Sequence, residues 1–255
     1  MNNWIPFLTR LVDQTDPIAL HYFQTTTLQT RLKQDNTIVS EADLAVETRV
    51  REIIQAEMPE LNVLGEEYGG MENSKELRLI IDPIDGTKNF VAGNPFFATL
   101  LGIEEHGEVI AGLISAPATR DRWWAAKGQG AFHNGKVIQV SQIKDLTKAT
   151  AFHSSLFPPK MNDKNQGMFP LLAQTLYQRG YGDYLAPMLV AEGCGEFSLD
   201  FNIKPWDMAA IKIIIEEAGG KFSDVQGVNT IYSNNMVVSN GLFHEQIVSY
   251  MSICE

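Results

Sequence analysis

The sequence predicts an α/β protein, and three patterns carry the prediction: helical segments at the start, a run of strands after an acidic loop, and renewed helix and strand alternation after about Thr147. With 255 residues, 44% of them apolar and 20% charged, the chain can bury a substantial core as one large domain or two modest ones. The change of pattern divides it into an N-terminal α+β half over residues 1–146 and a C-terminal α/β half over 147–255. No linker rich in Pro, Gly or Ser sharpens that boundary.

From Trp4 to Phe23 the apolar residues Ile5, Leu8, Leu11, Val12, Ala19 and Phe23 recur at helical spacing. Asp16 and Pro17 leave open one long helix or two abutting ones. A second helix opens with Ser40 and, three residues on, Asp43, the pattern of a capping box. It carries Val46, Val50, Ile53 and Ile54 on one face and ends near Pro59. Residues 61–64 are strand-like, and 77–81 form a short β-branched strand that stops at Asp82 and Pro83. Strands at 96–103 and 108–115 flank a Glu-His-Gly turn, and further strands at 122–126 and 137–140 extend an antiparallel meander. Beyond it the pattern predicts a strand at 149–155, helices at 169–179 and 188–192, a strand at 196–201, and a helix at 206–218 closed by Gly219 and Gly220.

The formal charge of −11 argues against attraction to nucleic acid or to an anionic membrane surface. An anionic substrate is still admitted, because a carboxylate cluster that binds divalent cations inverts the local field. Cys194 and Cys254 show no CxxC spacing, so neither a disulfide framework nor a thiolate zinc site is expected. The N-terminal MNNWIPFLTRLVDQ lacks a basic segment followed by an apolar run, and no stretch of about 18 apolar residues occurs. A soluble, unexported, cytoplasmic protein is the expectation.

Chemistry concentrates in DPIDGT, residues 82–87, directly after an apolar strand. Two carboxylates three residues apart, in a loop where Pro83 fixes φ and Gly86 permits an unusual turn, can converge on one point. Magnesium and similar hard cations require such oxygen ligands. Asp82 can bridge two cations, Asp85 can bind one, the Ile84 carbonyl adds a ligand, and Thr87 offers a hydroxyl and an N–H. The same string alone is also an ordinary solvated turn. Glu66 and Glu67 after the 61–64 strand, and Asp207 at a helix start, add acid, although singly Asp207 is a helix-start residue, Asp43 a capping residue and Glu67 a surface charge.

Taken in order, KQDNTIVSEAD (33–43), GEEYGG (65–70), IDPIDGTKNF (81–90) and KPWDMAAIKIIIEEAGG (204–220) resemble the inositol monophosphatase family over nearly the whole chain. HYF (21–23), APATRDRWWAAKGQGAF (116–132) and RGYGDYLAPMLVAEG (179–193) are more similar to its histidinol-phosphate phosphatase branch. The resemblance implies a layered αβαβα sandwich of the inositol monophosphatase and fructose-1,6-bisphosphatase type, Mg2+ dependence, lithium sensitivity and a homodimer. It assigns Glu66, Asp82, the Ile84 carbonyl, Asp85 and Asp207 as metal ligands, most of them in the N-terminal half, with Glu67 in support. Glu66, Thr87 and Asp43 would orient the attacking water, Gly86 and Thr87 would present N–H groups to phosphate, and Lys33 would lie near the site.

The implied activity is phosphomonoester hydrolysis, with histidinol phosphate of histidine biosynthesis as substrate and inositol-1-phosphate or a phosphorylated nucleotide as alternatives. An amino-imidazole alcohol carries positive charge, so Asp183 and Glu196 are candidates for selecting it, each equally readable as a structural or surface carboxylate. A phosphoaspartate mechanism is disfavoured because haloacid-dehalogenase-like enzymes use DxD, whereas this loop is DxxD followed by Gly-Thr. A zinc hydrolase is disfavoured because His21, His106, His133, His153 and His244 show no paired ligand spacing. A silent metal- or phosphate-binding regulator would keep the fold, and the intact acidic set speaks for an enzyme instead.

Overall fold

Helix α1 (Trp4–Tyr22) runs unbroken through Pro17, so the first segment is one long helix. In this computed structural model residues 4–25, 28–32, 38–70, 77–154, 156 and 167–252 are described. Lys33, Cys254 and residues 157–166, in the stretch LFPPKMNDKNQGM (156–168) that reads from sequence as a variable surface loop, lie outside them. Strands β1 (Thr30–Leu32) and β2 (Ile38–Ser40) pair as an antiparallel ribbon leading into α2 (Glu41–Glu57). The expected capping box is present: the Ser40 N–H donates to Asp43 Oδ2 at 2.8 Å, and the Ala42 N–H donates to Ser40 Oγ at 3.2 Å.

The first sheet follows, with β3 (Asn62–Gly65), β4 (Arg78–Asp85), the short helix α3 (Thr87–Val91), β5 (Ala98–Glu105), β6 (Glu108–Ala116), β7 (Asp121–Ala126), β8 (Ala131–His133) and β9 (Lys136–Ile138). Its seven strands lie in sequence order, β3 parallel to β4 and the rest antiparallel, so the predicted meander is present. A second sheet uses β10 (Thr150–His153), then, after α4 (Met168–Leu172), β11 (Tyr177–Arg179), and, after α5 (Leu185–Ala191), β12 (Phe197–Phe201). Helix α6 (Pro205–Glu217), β13 (Lys221–Ser223), β14 (Asn235–Ser239) and α7 (His244–Ser252) complete it, in strand order β11-β10-β12-β14-β13.

The helix expected at 169–179 stops at Leu172, and after a turn its last three residues, Tyr177–Arg179, are strand. Leu171, Leu172 and Leu176 have helical spacing, yet the Leu176 and Tyr177 N–H groups both donate to the Ala149 carbonyl and Tyr177–Arg179 pairs in parallel with β10. A free sheet edge overrides local propensity there.

Five layers result. Helices α1 and α2 cover one face of the first sheet through Leu8, Leu11, Val50, Leu79, Ile81 and Leu101. Helices α5 and α6 fill the space between the sheets with Met188, Met208, Ile213, Ile214, Ile80 and Val238. Helices α4 and α7 close the outer face of the second sheet over Phe197, Leu199 and Val237. The αβαβα order is therefore the observed architecture, and no helix among the described residues is long and apolar enough to cross a membrane.

Helix α7 is tied to the second sheet by a buried histidine. The Ser223 hydroxyl donates to the Asp224 carbonyl at 2.7 Å, so the His244 Nε2–H donates to Ser223 Oγ and Nδ1 accepts from Ser239 Oγ, both at 2.8 Å. Burial, helped by the Lys221 charge and opposed by Glu245, pushes His244 down from 6.5 to about 4. The unfolded chain then takes up this proton near pH 6.5 and the folded chain only near 4. Stability from the neutral ring is full above the upper value and is lost as pH falls through that window. Between pH 7 and pH 5 the loss is about 2 kcal/mol. Urea midpoints at the two pH values should show His244→Gln losing less than wild type by that amount.

Candidate metal centre and active site

In a regular strand, residues three apart point to opposite faces. Asp82 and Asp85 escape this because β4 is bulged: Asp82 pairs with Leu100 but Asp85 with Ala98, so Pro83 and Ile84 together oppose Thr99. The extra residue restores parity, sending both carboxylates to the α6 side and Ile84 to the opposite side, against Ala42 and Val46 of α2. Two bonds hold the bulge, from Thr99 Oγ1 to the Pro83 carbonyl at 2.8 Å and from the Ile84 N–H to Asp82 Oδ1 at 3.0 Å.

Asp207 arrives from α6. Pro205 occupies the first turn, and the Lys204 N–H donates to Asp207 Oδ2 at 2.6 Å. The helix can approach the sheet because Gly102 and Gly112 face each other in register beneath it. A Cβ on Gly102 would lie 2.7 Å from the Ala209 Cβ, and one on Gly112 would lie 2.9 Å from the Ala210 Cα. Asp82, Asp85 and Asp207 each thereby offer an oxygen within 4.8 Å of the others.

Electrostatically this cluster is strained. Burial, then the charges of Glu66, Asp85 and Asp207, hold Asp82 well above the ordinary carboxylate range. Burial, then Asp183 and Asp207, does the same to Asp85. Asp207 is pushed up to about 7 by burial and then by Glu66. Like charges desolvated together ask for a cation, and an all-oxygen donor set suits a hard divalent ion, so the residues present fit a metal site.

Thr87, Asp43, Gly86 and Glu66 lie around the triad. Thr87 Oγ1 lies 3.2 Å from Asp43 Oδ1 and 2.9 Å from the Ile84 carbonyl, and its single proton serves one of them at a time. Burial pushes Asp43 up to about 6 against the hydrogen bonds from Ser40. Gly86 adopts φ 81°, a left-handed conformation, and its carbonyl accepts from the Phe90 N–H to start α3. Glu66 sits outside the 4.8 Å set, but its charge acts on Asp43, Asp82 and Asp207. Trp206 packs partly buried against the central core.

Asp183 joins the site and Glu196 does not. Asp183 Oδ2 accepts from Asn89 Nδ2 at 3.1 Å, and its charge raises Asp85. The adjacent Tyr184 N–H donates to Asp85 Oδ2 at 2.6 Å. Glu196 is instead a buried anchor of the second sheet, accepting from Ser141 Oγ at 2.8 Å and the Thr150 N–H at 2.5 Å. Four residues further along, Asp200 reaches the site: its charge acts on both Asp85 and Asp207, and it accepts from Ser154 Oγ.

Sequence reasoning passed over Asp200, Asn89 and Glu47. Glu47 is fully buried and receives the Glu67 N–H at 2.8 Å, the Tyr68 N–H at 3.3 Å and the Arg51 guanidinium, so it moulds the loop bearing Glu66. Its signal was present, one helical turn after Asp43 on the same face of α2. Asp200 had no local signal, because in a strand it is one alternating position among others.

A five-layer sandwich with an acidic triad between its sheets defines a class of α/β proteins suited to binding hard cations, and comparison with known proteins narrows it. The family model described as "Inositol monophosphatase family" matches residues 1–255. A histidinol-phosphatase of Mycobacterium tuberculosis is 37% identical over 251 residues, covering 95% of this chain and 95% of that protein. A fructose-1,6-bisphosphatase/inositol-1-monophosphatase of Thermotoga maritima is 34% identical, covering 84% of this chain and 82% of its own. Among solved structures, the extragenic suppressor protein SuhB of Bartonella henselae superposes with a TM-score of 0.90 at 27% identity, covering 99% of each chain. The chain belongs to the inositol monophosphatase family, and its chemistry is that of a phosphoric monoester hydrolase.

The Glu47 buttress generates a test. A Cβ on Gly65 would lie 2.1 Å from Glu47 Oε1, and Glu47 is too well held to yield. Gly65→Ala should cost about 1–3 kcal/mol in urea denaturation. Adding Glu47→Ala should lose less than the sum of the two single changes, because the clash is then gone.

Proposed function

We propose that this protein is a magnesium-dependent phosphatase that hydrolyses histidinol phosphate. The observation that carries the reading is the gathering of Asp183 and Asp200 around Asp85, beyond the triad itself. Additional carboxylates beside a phosphate site suit an alcohol with positive charge, as an amino-imidazole alcohol has, better than an uncharged polyol. The 37% identity with the M. tuberculosis histidinol-phosphatase points the same way. Inositol-1-phosphate is the second reading, favoured by the T. maritima relative.

Asp82, Asp85 and Asp207, with Glu66 and the Ile84 carbonyl, would hold the cations. Bound Mg2+ would supply charge neutralisation for the phosphate and leaving oxygen and lower the pKa of the attacking water. Thr87 Oγ1, fixed between Asp43 and Ile84, would orient that water together with Glu66. The Gly86 and Thr87 N–H groups would meet phosphate oxygens. The water oxygen bonds to phosphorus, the ester P–O bond breaks, and the departing alcohol takes the proton. In this reading the protein is a lithium-sensitive, cytoplasmic homodimer, as the family resemblance implies.

Three measurements test the proposal. Asp82→Asn and Asp207→Asn should each lower kcat at saturating Mg2+ at least about a hundredfold while remaining folded by circular dichroism, since each removes a ligand charge and keeps volume. Full turnover in both variants would refute the assigned cluster. With Mg2+ held constant, kcat/KM should be higher for histidinol phosphate than for inositol-1-phosphate, and the reverse order would establish the second reading. A lithium titration should inhibit turnover of whichever ester is preferred.

A further inference from the structure

We propose that Asn89 is the positioning residue that aims Asp183 at the substrate, and so a determinant of selectivity for cationic alcohol phosphates. This rests on reading Asp183 as a group that recognises the substrate's positive charge. Asn89 lies in α3, three residues beyond Gly86. Its Nδ2 donates to Asp183 Oδ2 at 3.1 Å and to the Phe96 carbonyl at 3.0 Å. Its Oδ1 accepts from Asn94 Nδ2 at 3.1 Å, while the Asn94 N–H donates to the Asn89 carbonyl at 2.9 Å. The partners decide which way the amide points, because a flip would set oxygen against two acceptors and nitrogen against a donor.

Asp183 is itself held in an uncommon backbone conformation, with φ 55°. Asp is among the few non-glycine residues that adopt this conformation, and it persists where the surroundings over-determine it. Here they do so from both ends of the Asp183-Tyr184 pair. The Tyr184 N–H reaches Asp85 Oδ2, while Asp183 Oδ2 comes within 3.3 Å of where a Cβ on Gly86 would stand. The carboxylate is thus brought beside Gly86, and Asn89, 94 residues before it in sequence, hydrogen-bonds it there. A carboxylate offers about four acceptor sites on its two oxygens, so the Asn89 amide can fix its direction while a ligand ammonium is still accepted. Removing the donor leaves the charge in place and releases its direction.

The test is a double-variant cycle on the whole enzyme, measuring the ratio of kcat/KM for histidinol phosphate to that for glycerol-2-phosphate, an uncharged alcohol ester. Asp183→Asn and Asn89→Ala should each lower the ratio by about tenfold, the size of one charge-assisted hydrogen bond, and the double variant should lower it no further. Asn89→Leu, which keeps nearly the volume and removes the donor without adding charge, serves if truncation unfolds the loop. A ratio that falls in Asp183→Asn but not in either Asn89 variant overturns the role of Asn89 and leaves the reading of Asp183 standing. Independent, additive effects overturn it as well. An unchanged ratio in Asp183→Asn removes Asp183 as the recognition group and the inference with it.

Discussion

Everything at the candidate site depends on the bulge in β4. A regular strand would have put one carboxylate between the sheets and the other on the face covered by α1 and α2, away from Asp207. Opposing Thr99 with both Pro83 and Ile84 brings Asp82 and Asp85 to one side and gives Ile84 to the α2 side as core. The Thr99 hydroxyl on the Pro83 carbonyl holds the bulge from the neighbouring strand. The placement of two carboxylates is therefore set by one local irregularity.

The rest of the sandwich exists to hold charge in a place that resists it. Asp82 is 2% exposed and Asp85 8%, so water screens neither; the charge of Asp85 raises the proton affinity of Asp82, and those of Asp183 and Asp207 raise that of Asp85. Such a cluster survives because rigid neighbours supply directed hydrogen bonds: the Ile84 N–H to Asp82, the Tyr184 N–H to Asp85, and the Lys204 N–H to Asp207. The glycine pair Gly102 and Gly112 lets α6 settle close enough to the sheet for Asp207 to complete the set. Strain of this kind is chemically useful, since cations are the natural way to relieve it.

Capping and chemistry meet in Asp43. Its Oδ2 closes the N-terminus of α2 through Ser40, while Oδ1 faces Thr87. A residue that reads as a plain helix cap thus also touches Thr87 with its second oxygen. The same helix supplies Glu47 one turn on, so α2 shapes both the Thr87 hydroxyl and the loop of Glu66.

Much was legible in the sequence alone. The amphipathic helices, the meander, the capping box, and an acidic loop after a buried strand are local patterns, written in residues a few positions apart, and they suffice to point to α/β architecture and oxygen-ligand chemistry. Order in the chain also carried the family resemblance that the comparisons then bore out. The fate of 169–179 was not legible, because Tyr177–Arg179 answers to the open edge of β10 rather than to its own helical spacing. Nor was the difference between Asp183, Asp200 and Glu196, three acids of similar local context. Only the tertiary structure decided that Asp183 and Asp200 face the triad while Glu196 anchors a sheet, because which carboxylates share a buried field depends on the pairing of strands and loops far apart in sequence.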